Sequence, residues 1–205
     1  MNLTLHTEPF HFICIDNVYD NLELELIWKE LDFLSSNLED KLLSEEYTDS
    51  ALDANDKILK KNRGTFLDSF YSERKYSNIL KVNKKIYEPE ILKPSNSWFF
   101  KNQDYNYHGT LISYYENGSY YRPHLDDGIV TCCTWFWKEP KKFFGGNLYF
   151  PEHDIQIEIQ NNSAVIFPSK IIHAVDEIKM QDCNIGTGYG RFCMTQFLDY
   201  KDRYK

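Results

Sequence analysis

The sequence predicts a mainly β fold in which N-terminal helices support a double-stranded β-helix, or jelly-roll, core. From Trp98 onward, short runs rich in aromatic and β-branched residues alternate with turn residues, a pattern typical of sandwiches and jelly rolls. Before that point, the apolar residues that follow Asp20 recur at helical spacing. Helices first and many short strands afterwards therefore define the expected architecture.

Length and charge are those of one domain. A chain of 205 residues without an evident linker is long enough to bury a core, so we expect a single domain over 1–205, with a helical support region at 1–97 and the jelly-roll core at 98–205. Acidic residues outnumber basic ones by 31 to 23, which gives a formal net charge of -8. Nucleic acid is not an expected partner, because phosphate binding relies on clustered cations. A single arginine can still hold a small anion.

Cysteine usage and the N-terminus indicate a cytoplasmic protein. The segment MNLTLHTEPFHF lacks the basic start and apolar run of a signal peptide, and no apolar segment approaches membrane-spanning length. The five cysteines are odd in number, and Cys132 is adjacent to Cys133, so free thiols are expected rather than a disulfide framework. No membrane partner is expected, and the oligomeric state stays open.

The N-terminal elements can be predicted in chain order. HFICIDNVY forms a short strand, and Asp20 with Glu23 forms a capping box that starts a helix. Residues 39–62 are predicted to be irregular surface structure anchored by Ala51 and Leu52. A second helix is expected over 72–87, before Glu88-Pro89. The apolar side of the first helix comprises Leu24, Ile27, Leu31, Leu34 and Leu38.

The strands of the core follow as segments separated by turn residues. HDIQIEIQNN is the clearest, because Ile155, Ile157 and Ile159 alternate with polar residues and so share one face. The other predicted strands are GTLISYYENGSYY, GIVTCCTWFW, GGNLYF, SAVIFPS and GRFCMTQFLDY.

Candidate metal ligands lie in YYRPHLDDG, between two of these strands. In extended chain, residues i and i+2 point to the same side, so His124 and Asp126 can converge on one point. His173, after the apolar SAVIFPS, supplies a third ligand. Two imidazoles and a carboxylate form the facial triad that binds non-haem Fe(II). By itself the HxD pair is more often a surface pair or a structural histidine than a metal site.

Arg191 begins the last predicted strand, with Thr195 on the same face. A cation inside a barrel needs an anionic partner, because an unpaired buried charge is very costly. A dicarboxylate ligand would satisfy it. The alternatives are solvation at the strand end or pairing with Glu177 or Asp182.

The order HxD, distal histidine and arginine on the last core strand resembles the Fe(II)/2-oxoglutarate-dependent oxygenases, most closely the prolyl 4-hydroxylase-like branch. YYENGSYYRPHLDD, VTCCTWFW, GGNLYFP, SAVIFPSKIIHAV and GRFCMTQF carry the likeness. The resemblance implies Fe(II), with 2-oxoglutarate and O2 as co-substrates and ascorbate as a candidate reductant. It also implies hydroxylation of an unactivated C–H bond, of proline in a peptide or as the free amino acid, with succinate and CO2 as co-products.

The resemblance further implies roles for individual residues. His124, Asp126 and His173 would bind the metal and act in catalysis, while Arg191, Thr195, Tyr115 and Trp135 would bind 2-oxoglutarate. Tyr114 should point away from it. The stretch Asn62-Arg63-Gly64 resembles one that some relatives place near the substrate, and the 174–190 loop is longer than in many of them. The expected entrance residues are Tyr121, Arg122, Asp127 and Trp137; the expected apolar walls are Ile112, Leu148, Val175 and Phe197; the candidates for holding a proline ring are Trp98, Phe99, Phe100, Tyr105 and Tyr107.

Two alternatives remain at this point. One keeps the cofactors and changes the substrate to a nucleobase or another small molecule, against which the acidic balance counts. The other is a non-catalytic jelly-roll module that binds metal or 2-oxoglutarate without turnover.

Overall fold

The computed structural model describes residues 1–36, 42–44, 58–94 and 96–201. The helices are α1 (Asn21–Ser35), α2 (Leu67–Phe70), α3 (Asn78–Val82), α4 (Pro89–Leu92) and α5 (Trp98–Lys101). The strands are β1 (Asn2–His6), β2 (Phe12–Asp16), β3 (Lys60–Lys61), β4 (Arg63–Phe66), β5 (Tyr107–Tyr115), β6 (Tyr120–His124), β7 (Val130–Phe136), β8 (Phe143–Phe144), β9 (Leu148–Phe150), β10 (Ile155–Ile157), β11 (Ser163–Pro168), β12 (His173–Val175), β13 (Lys179–Met180) and β14 (Arg191–Asp199).

Two antiparallel sheets form the jelly roll and confirm the predicted fold class. The larger sheet has the order β1-β2-β11-β7-β14-β5-β4, and the smaller has the order β10-β9-β12-β6-β3. Buried side chains from both, such as Trp135 and Phe167 of the larger sheet and Leu148 and Phe150 of the smaller, pack in one cluster. The sheets therefore face each other across an interior.

Strand β14 lies near the middle of the larger sheet and separates two environments. Phe192, Met194 and Leu198 pack in the core beneath the helices, with Ile27 and Leu31 of α1. The intervening residues, from Arg191 to Asp199, point to the opposite face, towards the smaller sheet. The pleat of one strand thus divides residues that stabilise the domain from residues available for a site.

Helix α1 forms as the capping box predicts. Asp20 Oδ1 accepts from the Glu23 N–H and Glu23 Oε2 accepts from the Asp20 N–H, both at 2.9 Å. Ile27, Leu31 and Leu34 are buried on its apolar side. Leu38, Ala51 and Leu52, on which other expectations rested, lie outside the described residues. No helix in the described ranges is both long enough and apolar enough to cross a bilayer.

The predicted second helix is wrong as a continuous element. Residues 72–87 contain a 3₁₀ turn (Arg74–Tyr76), α3 and a second 3₁₀ turn (Asn83–Tyr87). The break occurs at Ser77, which has extended backbone and caps α3 by accepting from the Leu80 N–H. Ser77 Oγ and the Ile79 N–H also donate to Glu30 of α1, at 2.7 and 2.8 Å. A straight helix could not offer both donors to this buried carboxylate.

The predicted long strands are present, and several short ones were missed. The alternation of Ile155, Ile157 and Ile159 against exposed polar residues is confirmed, although β10 ends at Ile157. Among the missed strands, β3 and β4 flank Asn62. There the chain passes from the smaller sheet, where β3 pairs with β6, to the larger one, where β4 pairs with β5.

Candidate active site

A cavity of about 550 Å³ lies between the two sheets. His124, Asp126 and His173 line it together with Arg191, Tyr115 and Thr195. The sequence therefore predicted correctly that residues far apart in the chain meet in one place. Their roles as ligands remain predictions.

The two histidines are brought together by strand pairing. His124 ends β6 and His173 begins β12, and the two residues are direct partners in the antiparallel ladder. Asp126 lies two residues beyond β6 rather than on it, and its N–H donates to the Ser169 carbonyl at 3.1 Å. The convergence of His124 and Asp126 is confirmed, but this turn, not an extended strand, produces it. Ligand atoms of the three residues lie within 4.8 Å of one another.

Main-chain carbonyls fix the tautomers of both histidines. His124 Nδ1 lies 2.8 Å from the Arg122 carbonyl oxygen, and His173 Nδ1 lies 2.9 Å from that of Ile171. A carbonyl only accepts, so each Nδ1 carries a hydrogen, which leaves Nε2 as the nitrogen of each ring that can bind a metal ion. Burial lowers the pKa of His124, which further favours its neutral form.

The two Nε2 atoms face the Asp126 carboxylate. His124 Nε2 is 3.5 Å from Oδ1, and His173 Nε2 is 3.3 Å from Oδ2. Burial raises the pKa of Asp126, but its contacts with His124 and His173 outweigh this, and the net pKa is lowered. Thr131 Oγ1 donates to Oδ2 at 2.8 Å and holds the ionised carboxylate in place. Two imidazole nitrogens and a carboxylate that converge in this way suit a divalent cation, which would take the place of the shared hydrogens.

Whereas the triad suits a cation, Arg191 is itself a buried cation and lacks an anionic partner among the described residues. Its side chain is fully buried, its Nη1 donates to the Gly146 carbonyl, and its guanidinium stacks on the Tyr115 ring at 4.1 Å from the centroid. Nε and Nη2 have no hydrogen-bond partner. Glu177 and Asp182 are exposed, and no carboxylate in the described residues pairs with this guanidinium. A buried cation with two free donors fits the carboxylate of a ligand.

The other predicted co-substrate residues also line the cavity. Tyr115, Trp135 and Thr195 do so, while Tyr114 lies on the opposite face, where its ring packs on Phe192. Burial raises the pKa of Tyr115 despite the opposing effect of Arg191, so its phenol stays a neutral donor. Cys193 lies between Arg191 and Thr195 on the same face of β14.

The expected entrance residues divide into two groups. Tyr121 and Asp127 line the cavity, and Tyr121 stacks on the His124 ring at 3.4 Å between centroids. Arg122 and Trp137 do not line it, which corrects their placement. Arg122 is exposed and lies over the Tyr120 ring, because it points away from the sheet interior. Trp137 follows the end of β7 and donates its indole N–H to Glu139.

The apolar walls need one correction. Leu148, Val175 and Phe197 line the cavity, but Ile112 does not. Its neighbours Leu111 and Ser113 face the cavity, so alternation directs Ile112 into the core beneath the helices. Of the aromatic residues expected to hold a proline ring, only Tyr107 reaches the cavity; the others, Trp98, Phe99, Phe100 and Tyr105, lie elsewhere.

The long loop after His173 does not cover the cavity. None of the residues 176–190 lines it. The Gly186 N–H donates to Glu116 at 2.7 Å, and Gly190 packs against Tyr114 and the Tyr115 carbonyl. The loop therefore supports the strand that carries Tyr115.

Sequence reasoning missed several contributors. Thr131 orients Asp126, and the Gly146 carbonyl orients Arg191. The Gly145-Gly146 pair was visible as a turn, but its contact with Arg191 depends on tertiary structure. Asn62 was noted only within a turn-like stretch, and it lines the cavity with its side chain buried.

Comparisons with known proteins agree with this geometry. Residues 98–199 match the family described as the 2OG-Fe(II) oxygenase superfamily. A search of curated proteins finds no match.

Solved structures share the fold at low identity. A viral collagen prolyl hydroxylase from Paramecium Bursaria Chlorella virus-1 has a TM-score of 0.57 at 17% identity, covering 91% of this chain and 94% of its own. A Trichoplax adhaerens prolyl hydroxylase, solved with a peptide fragment of a hypoxia inducible factor, gives 0.63 at 15% identity, with coverages of 92% and 83%. A Pseudomonas putida prolyl-4-hydroxylase gives 0.53 at 14%, with 93% of each chain covered.

Proposed function

Since its jelly-roll region, residues 98–199, makes this chain a member of the 2OG-Fe(II) oxygenase superfamily, we propose that it hydroxylates an unactivated C–H bond of proline, in a peptide or as the free amino acid. The chain is a 2-oxoglutarate-dependent dioxygenase that uses Fe(II), 2-oxoglutarate and O2. One observation carries the assignment to these residues: a single cavity holds both a triad that needs a cation and a buried guanidinium that needs an anion.

The residues divide the work of binding. His124, Asp126 and His173 would hold the metal, with their hydrogen bonds to main-chain carbonyls and Thr131 fixing each ligand atom. Arg191 would hold the far carboxylate of 2-oxoglutarate, and Tyr115, Thr195 and Trp135 lie within the same wall. When bound, the cofactor chemistry inserts one oxygen atom of O2 into the substrate C–H bond, places the other in succinate and releases CO2.

The choice of proline rests on two supports. The structures of similar fold described above are named as prolyl hydroxylases. In addition, the cavity contains an apolar section formed by Phe66, Leu111 and Phe197, and an apolar section can accept a saturated ring.

The first test separates cofactor binding from substrate choice. Fe(II) and 2-oxoglutarate are added without oxygen, and the metal-to-ligand charge-transfer band is followed by visible absorption. The band should form in the wild type, vanish in Asp126→Ala, and require roughly 10- to 100-fold more 2-oxoglutarate in Arg191→Ala, because hydrogen bonds to a charged group contribute about 1.5–3 kcal/mol. Absence of the band in folded wild type would contradict the site assignment.

The second test addresses the substrate. Proline and acetylated prolyl peptides are incubated with Fe(II), 2-oxoglutarate and O2, and products are analysed by mass spectrometry. Addition of one oxygen atom per succinate formed is the expected result. A normal charge-transfer band without any oxygenated proline product would reject proline and retain the cofactor assignment.

A further inference from the structure

Asn62 occupies a special position in the chain. It is the residue between β3 and β4, where the chain crosses from the smaller sheet to the larger one. Its neighbour β3 pairs with β6, the strand that carries His124. The residue before Asn62 pairs with β6, the strand that carries His124, and the residue after it pairs with β5 of the larger sheet.

The side chain of Asn62 is buried without a partner. It is 5% exposed, and its Oδ1 is fully shielded with no hydrogen bond. Its amide nitrogen also has no hydrogen-bond partner in the described part of the chain. Leaving a buried polar group unsatisfied costs about 1–3 kcal/mol. Because Asn62 lines the cavity, a ligand in the cavity can supply what the protein does not.

The missing partner must donate, because the shielded atom is the Oδ1 acceptor. A carboxamide carries an acceptor oxygen and a donor NH₂ on one planar group. A free ammonium would have to lose its hydration to reach a shielded oxygen, which costs far more than desolvating a neutral peptide N–H. In an extended peptide the N–H and the C=O of one residue point to the same side, so such a peptide can donate to Oδ1 and accept from the amide nitrogen.

The charged groups at the mouth of the cavity already have partners, and Lys60 Nζ lies over the Tyr121 ring at 5.8 Å from its centroid. The Asp127 side chain is fully exposed and lies 3.5 Å from Lys170. Lys201 Nζ lies over the Tyr107 ring at 3.3 Å from its centroid, and Asp199 accepts from the Tyr200 N–H. Exposed and already engaged groups contribute little to holding a zwitterion.

An apolar wall continues from Asn62 along β4. Phe66 lies four residues after Asn62, so the two side chains face the same side of the extended chain. Phe66 pairs with Leu111 of β5, and its ring centroid lies 6.3 Å from that of Phe197. A peptide unit at Asn62 would therefore be followed by an apolar surface on the same side of the chain.

We propose that Asn62 hydrogen-bonds the main-chain N–H and C=O of one substrate residue and so selects peptides over free amino acids. This inference rests on the proposed hydroxylase function and adds a substrate-reading residue to it. The hydrogen bonds are the same in the ground state and in the transition state of the bound complex. Asn62 should therefore contribute to substrate affinity and not to kcat.

The test uses acetylated pentapeptide amides with each of the twenty residues at the centre, together with the free amino acids, and measures substrate-stimulated consumption of 2-oxoglutarate. Wild type should respond to a peptide and not to the corresponding amino acid. Asn62→Ala and the similarly sized Asn62→Leu should raise the KM of that peptide about tenfold and leave kcat within about twofold, the loss expected for about one hydrogen bond. Replacing the contacted amide by an ester should weaken wild type and not the variants.

Two controls make the result specific. Lys61→Ala changes the exposed neighbouring residue, which is absent from the cavity wall, and should behave as wild type. The anaerobic charge-transfer band and the melting temperature should be unchanged or improved in the Asn62 variants, because an unsatisfied group is removed. A purely structural Asn62 would instead lower stability.

The outcomes separate this inference from the proposed function. A stimulating peptide with a central residue other than proline would reject proline hydroxylation and support the role of Asn62. A free amino acid that works as well as its peptide, an unchanged peptide KM in both Asn62 variants, or a wild type that no peptide stimulates despite a normal charge-transfer band would overturn the role of Asn62.

Discussion

At the scale of single residues, Arg191 and Cys193 form a small electrostatic unit. The two residues share one face of β14, and Cys193 Sγ lies 3.6 Å from Thr195 Oγ1. The hydrogen bond from the Cys133 thiol lowers the pKa of Cys193, burial raises it, and Arg191 lowers it again, so that the net pKa is below the ordinary value. The Cys193 thiolate is therefore a competitor for the guanidinium that 2-oxoglutarate is proposed to use.

This unit predicts a pH dependence. The thiolate fraction of Cys193 grows as pH rises through its lowered pKa, and a thiolate repels the carboxylate that approaches Arg191. The affinity for 2-oxoglutarate should thus fall about three- to tenfold between about pH 6.5 and about pH 8.5. In Cys193→Ser, which cannot ionise, it should stay level. Titration of the charge-transfer band at saturating Fe(II) measures both proteins, and the same pH slope in each would contradict the prediction.

Residue roles could be predicted where alternation within a long strand decides them. Arg191 and Thr195 on one face, and Tyr115 opposite to Tyr114, follow from the two-residue period. The same period, counted from Tyr115, excludes Ile112 from the cavity. Trp137 lies beyond the end of its strand, where alternation no longer applies. Asn62 and Thr131 could not be assigned, because their significance comes from partners distant in sequence.

At the scale of elements, the β8–β9 turn positions Arg191. Gly145 and Gly146 have φ values of 75° and 76°, in the left-handed region that favours glycine. A Cβ on Gly145 would lie 2.3 Å from the Glu177 carbonyl oxygen, whereas a Cβ on Gly186, at φ 75°, would meet nothing within 4 Å. Gly145 and Gly186 thus share a φ of 75° and differ in their surroundings.

This difference predicts unequal costs for the same substitution. Gly186→Ala should lower the free energy of unfolding by about 1 kcal/mol, the cost of left-handed backbone alone. Gly145→Ala should lower it by at least about 2 kcal/mol more, because the carbonyl must move. It should also weaken 2-oxoglutarate binding, since the next carbonyl holds Arg191. Urea unfolding and the charge-transfer titration measure these effects, and equal losses for the two variants would show that the turn tolerates a side chain.

Elements with a strong local signal could be predicted, and those defined by partners could not. The capping box and the apolar period identify α1. The interrupted segment at 72–87 has a comparable apolar period, but the buried Glu30 draws Ser77 and Ile79 out of a straight helix. Strands β3, β4 and β12 contain two to four residues, too few to show a period. Only their pairing within a sheet defines them.

At the scale of the whole molecule, the larger sheet has two faces with different duties. One face packs under the helices, and the other faces the cavity. The residues of the metal and 2-oxoglutarate site could be predicted, because the order of HxD, distal histidine and arginine along the chain does not depend on the lengths of the loops between them. The substrate could not, because the residues that would read it come from separate elements, including the crossing at Asn62.

This division predicts that neighbouring residues of β14 can be changed with separate consequences. Met194 is fully buried beneath the helices, and Met194→Ala should lower the free energy of unfolding by about 2–5 kcal/mol through lost packing. Its affinity for 2-oxoglutarate should stay within about twofold of wild type, because no atom of Met194 reaches the cavity.

Thr195→Val is the complementary change at the next position. Valine keeps the size of threonine and removes the hydroxyl. Among the described residues, this hydroxyl has hydrogen-bond contacts only with the sulfur atoms of Cys133 and Cys193, at 3.9 and 3.6 Å. The free energy of unfolding should therefore change by less than about 1 kcal/mol, while 2-oxoglutarate binding should weaken about three- to tenfold through one lost hydrogen bond. Urea unfolding and charge-transfer titration of both variants decide the matter. If Met194→Ala weakens binding as much as Thr195→Val does, the sheet transmits packing changes to the cavity, and its two faces are not independent.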